Sequence, residues 1–140
     1  MKNKALIEHI NKPENLLASL ISDYVSKNIL SEKNDKINAR KSDSHTRRLF
    51  SYLFTGTRGG FNRLRIILLL ANKPFNAHQI SKELKLDYNA IQFHLDVLEK
   101  NNLVSKVGQH YGTLFFLSAF LEYNIDAFNE IVLKFYRGEI

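Results

Sequence analysis

The sequence contains no cysteine, and this absence excludes two kinds of site. A chain without thiols has neither disulfide bonds nor thiolate metal ligands, which is compatible with an intracellular protein. Histidine does not replace cysteine as a metal ligand, because the five histidines form no i, i+4 pair and have no nearby carboxylate at a ligand spacing. They are His9, His45, His78, His94 and His110. We therefore expect no metal and no cofactor.

Long hydrophobic runs are also missing. Residues 1–17 lack the apolar core of a secretory signal. The most apolar stretch, Phe61 to Ala71, is interrupted by Arg63 and Arg65 and falls far short of the roughly 20 residues that span a bilayer. We expect a soluble cytoplasmic protein that has no membrane partner. A length of 140 residues suits one domain with a modest core and an accessory segment.

The signatures of catalysis are absent as well. Arg58-Gly59-Gly60 lacks the glycine spacing of either nucleotide-binding fingerprint, and these glycines suit a turn. The sequence shows no nucleophile elbow and no paired carboxylates. We predict that the protein is not an enzyme.

The most informative stretch that is present runs from Asn76 to Val104 and predicts two helices joined by a tight turn. Asn76 and Gln79 have the spacing of a capping box at the start of the first helix, and Asp87 is placed to cap the second. Apolar residues repeat at helical spacing in both segments: Ala77, Ile80 and Leu84 in the first, Ile91, Leu95 and Leu98 in the second. This is a helix-turn-helix.

The opposite face of the second helix carries Tyr88, Asn89, Gln92, Phe93 and Asp96. The first turn of such a helix is the part that enters a DNA major groove. Asn and Gln both donate and accept hydrogen bonds, which matches the N6 and N7 edge of adenine. Tyr88, Asn89, Gln92 and Phe93 are therefore our candidates for base reading. The alternative is a helix face that is only solvated.

A β-hairpin is predicted directly after the second helix. Leu103 to Val107 and Thr113 to Leu117 have the pattern of short strands, and Gly108 to Gly112 joins them. A hairpin in this place is the wing of a winged helix-turn-helix, and its loop can contact the phosphate backbone or the minor groove. Its candidate contacts are Lys106, Gln109, His110 and Tyr111. For Tyr111, packing across the strands is an equal alternative.

The net charge of +6 indicates a polyanionic partner, and its location is uneven. Ten basic and two acidic residues lie between Lys33 and Lys73, whereas the helix-turn-helix and wing are neutral. A polar segment from Ser31 to Arg48 is therefore predicted to be a basic linker or arm, with Arg40, Lys41, Arg47 and Arg48 near DNA phosphates or in a minor groove. A solvated tether is the alternative.

Four further residues are candidate backbone contacts, each with an alternative. Arg58, Arg63 and Arg65 lie at or near the start of a helix predicted from about Phe61 to Ala71, where phosphate or an intramolecular carboxylate would offset their charge against the helix dipole. His94 lies inside the second helix of the motif and is a candidate for phosphate contact or for packing.

Both ends of the chain are predicted to be helical. Residues 1 to 30 carry an amphipathic stripe, with Pro13 near a helix start. This helix can pack on its own domain or on a second subunit. The last helix, capped by Ser118, repeats Leu121, Ile125, Phe128, Val132 and Phe135 at steps of four and three, a spacing that favours a homodimer interface over core.

Three pieces of the chain resemble archaeal winged helix-turn-helix regulators of the ArsR-like class. They are TRGGFNRLRIILLL (57–70), LDYNAIQFHLDVLEKNNLV (86–104) and YGTLFFLSAFLEYNIDAFNEI (111–131). The resemblance implies a DNA-binding regulator whose first and last helices pair in a dimer. This chain departs from the class at two positions: Asn102 replaces a glycine where a left-handed residue is needed, and Phe93 replaces a basic residue, which leaves a thymine-methyl contact or a buried aromatic there. It also lacks the cysteine pairs of metal-sensing members.

The predicted fold is mainly α with a small β-hairpin wing (α+β), a winged helix-turn-helix with extra N- and C-terminal helices. Its predicted parts are an amphipathic helix (1–30), a basic arm (31–55), the DNA-binding domain (56–117) and a C-terminal helix for dimerisation (118–140). The predicted function is sequence-specific binding of double-stranded DNA as a cytoplasmic, nucleoid-associated transcriptional regulator. Two alternatives are a winged-helix module that docks proteins, such as the transcription machinery, and a chromatin-like protein that binds DNA without sequence preference.

Overall fold

A computed structural model describes residues 13–31 and 41–140 and shows the winged helix-turn-helix fold that the sequence predicts. The helices are α1 (Pro13–Tyr24), continued by a π-helical turn (Val25–Ile29), α2 (Ser44–Phe54), α3 (Gly60–Leu70), α4 (Ala77–Leu84), α5 (Tyr88–Lys100), α6 (Ala119–Tyr123) and α7 (Ile125–Tyr136). The strands are β1 (Phe75–Asn76), β2 (Val104–Val107) and β3 (Leu114–Leu117). No helix in the described ranges is both long and apolar enough to cross a membrane.

Helix α3 is the centre of the molecule. Its apolar run is buried on every side from Leu64 to Leu70, as expected of a helix with other elements around it. Helices α1, α2, α4 and α5 and strand β3 all pack against it. The predicted helix from about Phe61 to Ala71 is confirmed to within a residue.

The wing is part of a three-stranded antiparallel sheet in the order β1-β3-β2. Strands β2 and β3 pair from Val104 with Leu117 to Val107 with Leu114, which confirms the predicted hairpin. Strand β1 pairs Phe75 with Phe115 and was not predicted, because two residues are too few to show an alternating pattern. This strand fixes the wing to the start of the helix-turn-helix.

The N-terminal helix packs on its own domain. Helix α1 lies against α3 and α7, with Ile21, Tyr24 and Val25 buried. The Tyr24 ring meets Phe128 edge-on at 5.6 Å, and its hydroxyl donates a 2.6 Å hydrogen bond to Oδ1 of Asn129. Burial raises the pKa of the Tyr24 hydroxyl well above its usual range. Of the two alternatives for the predicted helix, packing in its own chain is observed from Pro13 onward; residues 1–12 lie outside the described residues.

The expectation of a linker through Arg48 is wrong from Ser44 onward, because residues 44–54 form helix α2. Asp43 caps this helix by accepting a 2.7 Å hydrogen bond from the Thr46 amide, and Phe50 and Phe54 are fully buried. Arg47 and Arg48 therefore lie on a helix. Lys41 is exposed, and Arg40 lies outside the described residues.

Polar contacts hold the start of α2 to the C-terminal helices. The buried Ser42 hydroxyl donates to Oδ1 of Asn124 at 2.9 Å and to Oδ1 of Asp126 at 2.5 Å. Burial raises the pKa of Asp126, but hydrogen bonds from Ser42 and nearby backbone amides lower it by more, so this pKa lies below its usual range. Arg47 forms a 2.5 Å ion pair with Glu130. Residues 41–54 are therefore attached to the domain.

The predicted dimer seam is also corrected. The last helix is broken at Asn124 into α6 and α7, although Ser118 caps its start as predicted. Leu121, Phe128 and Val132 are fully buried in the chain's own core, and Ile125 and Phe135 pack partly against it. A spacing of four and three residues buries one face of a helix but does not specify whether the partner is the same chain or another.

Candidate nucleic-acid interface

Local capping interactions define the two helices of the motif. The Gln79 amide donates to Oδ1 of Asn76 at 2.8 Å, and the Asn76 amide donates to Oε1 of Gln79 at 2.9 Å, which confirms the capping box. Lys85 ends α4 in the left-handed region at φ 54°. Asp87 then caps α5 by accepting from the Asn89 amide at 3.0 Å.

Burial of the predicted apolar stripes orients both helices. The inward residues are Ala77, Ile80 and Leu84 of α4 and Ile91, Leu95 and Leu98 of α5. After α5, Asn102 adopts the left-handed conformation at φ 61°, which was expected at this helix end. The other face of α5 consequently lies on the surface.

That outward face carries the predicted base-reading residues. Asn89 and Asp96 are exposed, Tyr88 is 38% exposed and Gln92 is half-buried. The Gln92 side-chain amide donates a 2.7 Å hydrogen bond to the Tyr88 hydroxyl one turn earlier. This bond holds the Gln92 amide in a defined position at the start of α5.

Phe93 is 60% exposed, so the alternative of a buried aromatic is wrong. Its ring meets the ring of the buried His94 at 5.4 Å and 67°. Phe93 therefore presents an apolar surface beside Asn89 and Gln92.

A groove of about 600 Å³ lies between the outward face of α5, the start of α4 and the wing. Its lining is mixed aromatic and polar: Asn76, Ala77, His78, Tyr88, Gln92, Asp96, Lys106, His110, Thr113 and Phe115. The structure thus brings two of the predicted base-reading residues together with Lys106 and His110 of the wing. His78 was missed by sequence reasoning, although its place in the first turn of a capped helix was a usable signal.

The wing residues are displayed to solvent. Lys106, Gln109 and His110 are exposed, and the Lys106 ammonium lies 3.4 Å from a carboxylate oxygen of Glu99 on α5. The side chain of Tyr111 lies outside the described residues. An exposed ion pair of this kind is weak, so Lys106 can exchange Glu99 for a phosphate.

Arg63 has a structural role instead of the predicted phosphate contact. It is only 4% exposed and donates to the Leu53 carbonyl at 2.9 Å, to the Thr57 hydroxyl and to Nδ1 of His94 at 3.3 Å. Its partners are neutral, so the alternative of a carboxylate ion pair is not observed either. Arg63 joins the end of α2, the following turn and α5.

His94 belongs to the same cluster. It is buried, and its pKa is lowered first by burial and then by the charge of Arg63, which favours the neutral imidazole that accepts from Arg63. His94 is therefore a packing residue in this structure and not a phosphate contact. A Cβ atom at Gly59 would lie 2.5 Å from Arg63 Nη1 and 2.6 Å from His94 Cε1, so a side chain in this turn would displace one of these two groups.

Arg65 is likewise turned inward. It is 3% exposed and donates to the Leu84 carbonyl at 2.8 Å and to Oδ1 of Asn62 at 3.0 Å. Leu84 is the last residue of α4, where a cation stabilises the helix dipole. Of Arg58, Arg63 and Arg65, the three arginines predicted near the start of α3, only Arg58 is exposed.

Comparison with known proteins agrees with this geometry. Residues 62–106 match the family described as bacterial regulatory protein, arsR family. The match runs from α3 through both helices of the motif into β2.

Among solved structures, the chain is similar to reduced HlyU from Vibrio cholerae N16961. The two share 20% sequence identity at a TM-score of 0.50, over 66% of this chain and 90% of HlyU. A likeness at this identity shows the fold alone. No curated protein matches the chain in sequence. In the residues that the structure describes, no group of three or more His, Asp or Glu side chains is placed to hold a metal ion.

Proposed function

We propose that this protein is a sequence-specific transcriptional regulator that inserts the start of α5 into the major groove of double-stranded DNA. The observation that carries the proposal is the division of α5 into two faces. Ile91, Leu95 and Leu98 are fully buried, whereas Tyr88 and Asn89 are exposed on a surface that is continuous with the wing. This helix lies within the residues that match the arsR family.

Affinity for phosphates must come from residues outside the reading helix, because α5 carries Asp96 and Glu99 against one basic residue, Lys100. Arg58 and the wing residues Lys106, Gln109 and His110 are exposed. Lys41 and Arg48 are exposed as well, and the predicted arm also includes Arg40. Arg47 pairs with Glu130, but both side chains remain partly solvated, so phosphate can compete for Arg47. Phosphate contacts fix the orientation of the protein on DNA, and the base contacts then supply selectivity.

Amide chemical-shift mapping tests which face binds. We expect titration of the isotope-labelled full chain with a duplex from its own upstream region to shift the amides of residues 88–96 and 106–113. Amides of α1 should remain unperturbed, because that helix is packed on α3 and α7. Shifts confined to other faces would contradict the proposal, as would their absence at low salt.

Protein docking is the second candidate function. Asp87, Phe93 and Asp96 are exposed on or beside the reading helix, and carboxylates there oppose a phosphate backbone but suit a protein partner such as a component of the transcription machinery. Absence of DNA binding at low salt would favour this module. Equal affinity for unrelated duplexes would instead favour a chromatin-like protein without sequence preference.

We also propose that the protein acts as a homodimer of the archaeal ArsR-like class on nucleoid DNA in the cytoplasm. Leu121, Phe128 and Val132 of the predicted seam are buried in the core, so pairing would use apolar surface that remains exposed. Phe61, Tyr136 and Ile140 are each more than half exposed. Phe61 meets Phe135 edge-on at 5.6 Å, which brings α3 and α7 together at one patch. Two-fold symmetry would imply a palindromic site with half-sites about one helical turn apart.

Light scattering after gel filtration measures the oligomeric state. At tens of micromolar we expect a mass of about twice the 16.2 kDa of one chain. The variant Phe61→Ser should shift the mass toward one chain if the patch is the interface. A wild-type mass of one chain would contradict the dimer.

A further inference from the structure

We infer that the DNA half-site of this protein has a core of A·T base pairs, read in the major groove by Asn89, Gln92 and Phe93. The inference rests on the proposed function and specifies the DNA sequence class that the same surface recognises. It is argued from the hydrogen-bonding groups and apolar surface that the exposed face of α5 presents.

The two amide side chains supply the contacts that adenine requires. Adenine offers an N6 donor and an N7 acceptor in the major groove, and one amide group of Asn or Gln matches both. Asn89 is exposed and its backbone N–H is already satisfied by Asp87. The bond from Gln92 to Tyr88 uses one amide hydrogen and leaves the carbonyl oxygen and the second hydrogen for a base edge. Tyr88 is therefore a positioning residue for Gln92.

Phe93 supplies an apolar contact that suits thymine. The C5-methyl group of thymine is the apolar feature of the major groove, and an aromatic side chain can pack against it. The Phe93 ring is 60% exposed and lies against His94, which Arg63 contacts in turn. The ring is thus supported from behind while its outer surface is open.

Guanine has no partner of the usual kind on the outward face of α5. Guanine presents two acceptors, N7 and O6, which Arg or Lys normally contact. Helix α5 has no arginine, and its one lysine, Lys100, lies in the last turn, away from the end that enters the groove. His94 is buried and its pKa is lowered, so it does not replace these cations. Asp96 would repel the acceptors of guanine, and it can accept from adenine N6 as well as from cytosine N4.

Selection from a random duplex pool by the full-length protein tests the inference. We expect enriched sites whose half-site cores are A·T pairs. Enriched sites with G·C cores would overturn the inference and leave the proposed function standing. If the pool yields no enrichment although the folded protein is present, the proposed function fails and the inference fails with it.

Base analogues in an enriched site test the individual contacts. Replacing a core thymine by uracil removes only the methyl group, and we expect wild type to lose about four-fold in affinity, the value of one buried methyl. Phe93→Ala should bind both duplexes equally, and it should fold normally because Phe93 is exposed. Replacing core adenine by 7-deazaadenine removes the N7 acceptor. This change should lower the DNA affinity of wild type but not that of the double variant Asn89→Ala, Gln92→Ala.

Uracil outside the half-site is the matched control and should leave the affinity unchanged. Equal losses for wild type and Phe93→Ala at core uracil would overturn the methyl contact. An unchanged affinity for 7-deazaadenine would overturn the adenine contacts.

Discussion

Gly60→Ala is expected to lower the free energy of unfolding by about 3 kcal/mol or more, at the upper end of what overpacking costs. A Cβ atom at this position would lie 2.4 Å from the carbonyl oxygen and 2.6 Å from the carbonyl carbon of Phe54. These are backbone atoms at the end of α2, so no side-chain rotation can make room. The added methyl group must separate the start of α3 from the end of α2.

Urea unfolding followed by circular dichroism measures this effect, with Gly112→Ala as the matched control. A Cβ atom at Gly112 would meet nothing within 4 Å, so the control should stay within about 0.5 kcal/mol of wild type. Equal stabilities for the two variants would show that α2 and α3 are not packed as closely as described.

The second large effect is expected on DNA recognition. Removing both amides in Asn89→Ala, Gln92→Ala should abolish two bidentate base contacts, each worth about 1–3 kcal/mol of discrimination. We therefore expect the preference for its own upstream DNA over a scrambled duplex to fall at least about 30-fold. Stability should be nearly unchanged, because Asn89 is exposed and Gln92 bonds only to the Tyr88 hydroxyl at the surface.

Salt dependence separates lost base contacts from lost phosphate contacts. The double variant should keep the wild-type slope of affinity against salt, since its cations are intact. The control variant Arg58→Ala should weaken binding to both duplexes alike and reduce the slope by about one. If the double variant retained full preference for the upstream DNA, the two amides would not be the base-reading groups.

The sequence predicted those features that depend on neighbouring residues. The capping box of Asn76 and Gln79, the Asp87 cap and the left-handed Asn102 each involve one short stretch of backbone, so spacing and residue type are sufficient. The burial of Ile91, Leu95 and Leu98 followed from helical periodicity for the same reason. Because the buried face of α5 was predicted, the exposed face on the opposite side was predicted as well.

The sequence did not predict features that depend on distant neighbours. Arg63 and Arg65 are charged, yet their partners are the carbonyls of Leu53 and Leu84, which residue types do not reveal. The seam of Leu121 and Phe128 has the same pattern whether its partner is the chain itself or a second copy.

Helix α2 is a different case, because local evidence for it was present. Asp43 precedes the helix as a cap, and Phe50, Leu53 and Phe54 have helical spacing. The density of positive charge from Lys33 onward suggested an arm and outweighed these signals. A high density of charge indicates that a segment is in contact with solvent, but the spacing of its apolar residues determines whether it can also pack on the domain.

The most direct test of the central claim, that α5 reads DNA sequence, is fluorescence-anisotropy binding of wild type to its own upstream duplex and to a scrambled duplex. The titrations should be made at several salt concentrations between about 50 and about 200 mM. We predict a preference of at least about 1,000-fold for the upstream duplex, together with a steep fall of both affinities with salt. Equal affinity for the two duplexes, or binding to neither at the lowest salt, would contradict the claim.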